Sequence, residues 1–170
     1  MTRILTPELS GTETAVADYL RNAGVVYEAF FTGPTKRDNW DCDSWKVTFS
    51  VSGKASESFD FYTGTGHRRR ATKMPASVSR NPRSMASVIW KEKHPEFPVT
   101  PCAASVLYSV IMDSTATEQS FADWCSEFGY DTDSRKAMDL YLLCQANSDK
   151  LHRVFNPQQV ADLRDLLDEY

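Results

Sequence analysis

The sequence predicts an α+β protein: an N-terminal helix and a three-stranded antiparallel sheet, followed by a helical C-terminal half. Three observations carry that expectation. Between residues 44 and 51, Trp45, Val47, Phe49 and Val51 alternate with Lys46, Thr48 and Ser50, the period-two signature of a strand with one buried and one wet face. Beyond residue 100 the apolar positions recur at the 3.6-residue spacing of amphipathic helices. Between these regions lies a stretch with neither period, broken by Pro75, Pro82, Pro95, Pro98 and Pro101.

Taken in order, Ala15, Val16, Tyr19, Leu20 and Ala23 define a first helix over 13–23, with Thr12 as its N-cap and Gly24 as its stop. The β-branched and aromatic run 25–31 predicts a strand that Gly33-Pro34 ends. The alternating strand 44–51 follows, then a turn at Ser52-Gly53-Lys54. In the third strand Phe59 and Phe61 alternate with Ser58, Asp60 and Tyr62. The buried face is therefore expected to hold Trp45, Val47, Phe49, Val51, Phe59 and Phe61, with the first helix available to cover it. In the proline-rich stretch only 82–93 reads as a helix, with Pro82 at its first position and Met85, Val88, Ile89 and Trp90 as a stripe.

Four further elements follow. Thr100-Pro101 opens a helix that turns Val106, Leu107, Val110 and Ile111 inward. Thr115 and Glu118 have the spacing of a capping box for a second helix, which carries Phe121, Trp124 and Cys125 and stops at Gly129. Asp131 or Asp133 is expected to cap a longer helix bearing Ala137, Leu140, Tyr141, Cys144, Leu151 and Phe155, interrupted at Asn147 and Ser148. Asn156-Pro157 starts the last, with Val160, Leu163, Leu166 and Leu167 on one side. The expected organisation is thus 1–70, helix plus sheet; 71–99, a basic connector; and 100–170, an acidic helical subdomain forming one compact unit with the sheet.

Composition narrows the class. At 170 residues with 41% hydrophobic and 25% charged residues, the chain can bury a core without disulfide staples. Its apolar runs are too short to span a membrane, and the N-terminus has no sustained apolar stretch of the signal-peptide kind. Cys42, Cys102, Cys125 and Cys144 are too few and scattered for a disulfide framework, so a reducing cytosol is expected. The net charge of −4 conceals a segregation. Six Lys/Arg face nine Asp/Glu over 1–63, eight face two over 64–99, and five face twelve over 100–170. A basic middle and an acidic end imply electrostatic partners, each other, or both.

No catalytic constellation emerges, and neither a metal nor a cofactor is expected. His67, His94 and His152 stand in three different segments, and there is no Cys-x-x-Cys. Cys125 and Cys144 fall on inward stripes, where free cysteine acts as a small hydrophobe. In Asp41-Cys42-Asp43 the flanking carboxylates disfavour a thiolate. Thr63-Gly64-Thr65-Gly66-His67-Arg68-Arg69-Arg70 has the glycines and cations of a phosphate cradle but lacks the Walker lysine-serine ending. Tyr130-Asp131-Thr132-Asp133-Ser134 lacks the glycine and the bidentate glutamate of a calcium loop, so capping explains it better. Two charged surfaces remain. Asp162, Asp165 and Asp168 are candidates for an acidic partner-binding face; Arg68, Arg69, Arg70 and Lys73 are candidates for contacting nucleic acid.

Three blocks carry a resemblance. They are Lys36-Arg37-Asp38-Asn39-Trp40-Asp41-Cys42-Asp43-Ser44-Trp45, then Tyr62-Thr63-Gly64-Thr65-Gly66-His67-Arg68, then Phe121-Ala122-Asp123-Trp124-Cys125-Ser126-Glu127-Phe128-Gly129-Tyr130-Asp131-Thr132-Asp133-Ser134. Together with the helical segment 106–110 they resemble a widespread group of small accessory proteins of tailed phages and prophages. The resemblance spans about residues 36–155; the connector 69–98 is longer here than in that group. It implies expression in a bacterial cytoplasm and action on a host machine. The expected function is non-catalytic inhibition of a host defence protein or ribonucleoprotein complex, in the manner of anti-CRISPR proteins. Many of those are acidic and occupy sites meant for nucleic acid. The alternatives are a nucleic-acid-binding replication or recombination factor working through the basic segment 68–93, and an enzyme whose residues carry no recognisable signature.

Overall fold

The computed structural model describes residues 3–70 and 96–170. The fold is α+β as expected, with a three-stranded antiparallel sheet in the order β1-β2-β3. Helix α1 (Gly11–Asn22) precedes strands β1 (Val25–Arg37), β2 (Trp40–Val51) and β3 (Ala55–Gly64). A single 3-10 turn, Thr65–His67, leads to the two-residue strand β4 (Arg69–Arg70), which pairs antiparallel with β5 (Glu96–Phe97). Helices α2 (Ala103–Ala116), α3 (Phe121–Phe128), α4 (Arg135–Val154) and α5 (Pro157–Leu166) complete the chain. The expected helix 82–93 lies outside the described residues.

Several boundaries move, each for an identifiable reason. Helix α1 is capped by Ser10 rather than Thr12: the Ser10 hydroxyl accepts from the Glu13 amide while Glu13 accepts from the Ser10 amide, a complete capping box. Gly33 adopts φ 127° inside β1, so its freedom carries the strand past Pro34 to Arg37. Asp38 and Asn39, both left-handed, then turn the chain directly into β2, which begins at Trp40 rather than Ser44. Thr115 lies within α2, and Ser120 caps α3. Ser134, not Asp131 or Asp133, caps α4; Asp131 instead accepts from the Asp133 amide in the preceding turn. Helix α4 runs without a break through Asn147 and Ser148, because the Ser148 hydroxyl pairs with Ser114 of α2 at 2.7 Å. Asn156 caps α5 as expected, in a capping box with Gln159.

The chain divides into two compact units, and each strand of the sheet contributes one end to each. The first comprises the described residues within 1–7, 31–45 and 62–100. Here the Trp45 ring meets Phe31 edge-on at 5.1 Å, and its indole N–H donates to the Thr63 hydroxyl at 2.8 Å. Leu5 forms a parallel bridge to Val99, donating to the Pro98 carbonyl and accepting from Thr100, both at 2.9 Å.

The second unit comprises residues 8–30, 46–61 and 101–170. Phe49, fully buried, meets Tyr27, Phe59 and Phe155 at 5.1, 6.1 and 5.9 Å. The element that joins the sheet's aromatic residues is thus the C-terminal end of α4, where Lys150 also donates to the Ser58 carbonyl and Arg153 pairs with Glu57. Helix α1 packs on α2 and α5, and α2 packs on α4. Of the expected core face, Trp45, Val47, Phe49 and Phe59 are buried, while Val51 and Phe61 are half-buried near the strand ends.

Candidate partner-binding surface

The two sets of charges singled out by the sequence meet different fates. In the first unit Asp43 shares the inward parity of Trp45 and is 1% exposed, a carboxylate that must be compensated. Arg68 compensates it. Its guanidinium donates through Nε and Nη2 to the two carboxylate oxygens at 2.9 and 2.5 Å, the two-pronged geometry that suits arginine best. The same pairing raises the Arg68 pKa, so the charge is permanent. Arg69 turns back on the Gly66 and Arg68 carbonyls at 3.0 Å, and Arg70 lies 3.9 Å from Glu96 across the β4–β5 ladder. Lys73 lies outside the described residues. Arg68 thus serves the local fold, brought to Asp43 by the 3-10 turn Thr65–His67, whereas Arg69 and Arg70 make their contacts at an exposed surface.

The acidic set lies on α5 and just beyond it, in the second unit. Asp162 is half-buried and committed: it accepts from the Tyr19 hydroxyl at 2.8 Å and from Gln158 at 2.9 Å, tying α5 to α1. The desolvation and this bond raise the Tyr19 pKa. Asp165 and Asp168 are exposed, as is Glu169, and none has a side-chain partner among the described residues. Further along the helical half, Asp133, Asp139 and Asp149 are also exposed, whereas burial raises the pKa of Asp113. Asp165, Asp168 and Glu169 therefore form a run of exposed carboxylates without side-chain partners among the described residues, whereas the third sequence candidate, Asp162, is bonded to Tyr19 and Gln158.

In the conspicuous Phe121–Phe128 block and its sequel, Trp124 and Cys125 are buried while Phe128 and Tyr130 remain exposed. Trp124 is 3% exposed and stacks on Tyr130 at 5.1 Å, with Phe128 and Tyr141 at 5.4 and 5.5 Å. Tyr141 donates to the Gln119 carbonyl at 2.7 Å, fixing α3 against α4. Cys125 is buried beside it, and burial raises its thiol pKa, as it does for Cys144, pushed up to about 11. Both are poor nucleophiles at neutral pH.

One polar cluster has no counterpart in the sequence pattern. The Cys102 thiol, at the N-cap of α2, donates to Glu13 Oε2 at 2.9 Å; the Tyr170 hydroxyl donates to the same oxygen at 2.8 Å and lies 2.6 Å from Ser105. These bonds, the thiol's foremost and the Ser10 amide's next, lower the Glu13 pKa to about 2. So weak a base does not take the thiol proton, and the cluster acts as a clasp between α1, α2 and Tyr170. Residues 13, 102, 105 and 170 belong to three distant segments, and only their fold unites them.

All four cysteines are free thiols. Among the described residues no group of three or more His, Cys, Asp or Glu side chains is placed to hold a metal ion, and no helix is long and apolar enough to cross a membrane. No protein-family model, curated protein or solved structure matches the chain.

Proposed function

We propose that this protein is a phage-encoded accessory factor that inhibits a host defence complex by non-catalytic binding, with the carboxylates around the end of α5 as its working surface. The single observation that supports this reading over a nucleic-acid-binding one is the contrast in commitment. Arg68, Arg69 and Arg70 are held by Asp43, by carbonyls and by Glu96, whereas Asp165, Asp168 and Glu169 are exposed and uncommitted. A cation locked to a buried carboxylate has little to offer a phosphate, since moving it would strand the carboxylate. A run of free carboxylates repels nucleic acid and attracts the basic groove of a protein that handles it. The resemblance of the three sequence blocks to phage accessory proteins supplies the cellular context.

The test is capture of bacterial partners on the immobilised protein, with and without nuclease, alongside the triple variant Asp165→Asn, Asp168→Asn, Glu169→Gln. The expected result is capture of a nucleic-acid-handling protein that survives nuclease, weakens with salt, and drops about tenfold or more in affinity in the triple variant. Capture that needs intact nucleic acid and is indifferent to the three carboxylates would replace this reading with a replication or recombination factor. Asp162 is left unchanged because its bond to Tyr19 belongs to the fold.

A further inference from the structure

In the second unit, α2, the last turn of α4 and the first two turns of α5 enclose an open cavity of about 150 Å³. Its floor is apolar, made by the buried Ile111 and Val160, with the Ser114 hydroxyl beside them. Around the rim stand three charged or ionisable side chains: Glu118, His152 and Arg164. None of the three makes a side-chain hydrogen bond or ion pair among the described residues. Two nearby charged residues are engaged elsewhere, whereas Asp165, next to Arg164, is exposed. Arg153, adjacent to His152, pairs with Glu57 at 2.6 Å, and Asp162 holds Tyr19 and Gln158. Uncommitted groups of both signs converging on a cavity with an apolar floor are the composition of a ligand site, where a few polar groups orient a small apolar body.

We infer that this cavity binds a small free zwitterion of the α-amino-acid kind with a short aliphatic side chain. The guanidinium of Arg164 offers a planar fork for a carboxylate, and the His152 ring adds a further donor. Glu118 accepts from an ammonium. The floor of Ile111 and Val160 receives the aliphatic part, and a cavity of this volume holds a body of about benzene size. A simple anion would leave Glu118 facing it, and a simple amine would meet Arg164. Only a ligand carrying both charges complements the whole rim.

The probe is L-valine, followed by the methyl resonances of Ile111 and Val160 and the ring resonances of His152. Isovalerate, which is valine without its amine, and isobutylamine, which lacks the carboxylate, serve as the matched controls. Valine is expected to shift these signals saturably at millimolar concentration, with each control binding about tenfold more weakly. Arg164→Gln and Glu118→Gln should each weaken valine binding by a similar factor while the remaining spectrum stays that of the folded protein. Absence of saturable shifts with valine, equal binding of isovalerate, or valine binding unaffected by Arg164→Gln would each overturn the inference.

Discussion

Asp43 and Glu13 show how single residues decide what this surface can and cannot do. The Asp43 carboxylate is almost fully buried and depends on Arg68, whose side chain is 26% exposed. Arg68→Met would leave an uncompensated buried charge and is expected to cost about 3 kcal/mol, the lower end for breaking such a pair because the arginine is partly in water. Asp43→Asn in the same chain should recover part of that loss, and chemical denaturation of the two variants checks it. A loss confined to binding, with stability intact, would show that Arg68 is a contact residue instead. Glu13 governs the acid limb of stability. Its pKa, about 2 in the fold, lies below its ordinary value of 4.5, so the clasp's contribution is complete above pH 4.5 and fades as pH falls towards 2. Glu13→Gln should flatten that part of the stability profile, measured by denaturant midpoints between pH 5 and pH 2. Asp43 was legible in principle: it sits two residues before Trp45 on the inward parity, where an acid demands a cation. Its role was hidden by placing the strand's start at Ser44. The Glu13–Cys102–Tyr170 clasp carries no such local sign.

At the level of elements, periodicity read the fold well and capping read its edges less well. The alternation of 45–49 and the helical stripes beyond residue 100 survive intact, because burial dictates both. Ser10, Ser120 and Ser134 are the caps where Thr12, Thr115 and an aspartate were expected. Several residues near each start can accept from the first amides, and the choice depends on where the preceding chain enters. Gly33-Pro34 suggested a stop but lies within β1, since Pro34 on an edge strand need not donate to a neighbour. Gly129, like the Asn156 cap, is an element signal that held. It ends α3 at φ 75° with open space around its α-carbon, so only the backbone resists a side chain there. Gly129→Val should destabilise by about 1–3 kcal/mol, and Gly129→Asn by much less, since asparagine tolerates the left-handed region. Thermal unfolding of the pair checks it. Equal losses would mean that the Trp124–Tyr130 stack tolerates no substituent at all.

Over the whole chain, charge is the property that separates function classes. The sequence showed the segregation, with five cations against twelve carboxylates over 100–170 and eight against two over 64–99, but not which charges were already spent. Arg68 is committed to a buried carboxylate and Arg69 and Arg70 to exposed partners, whereas the carboxylates of Asp165, Asp168 and Glu169 have no side-chain partner among the described residues. A protein working through the latter should be indifferent to bare nucleic acid. The decisive measurement is an electrophoretic mobility shift with bare DNA and bare RNA at low salt. The expected result is no retarded complex for the folded protein, with Arg69→Glu and Arg70→Glu changing nothing. Tight retardation that weakens steeply with salt and disappears on reversing those two arginines would contradict it, and would assign the working surface to the basic segment.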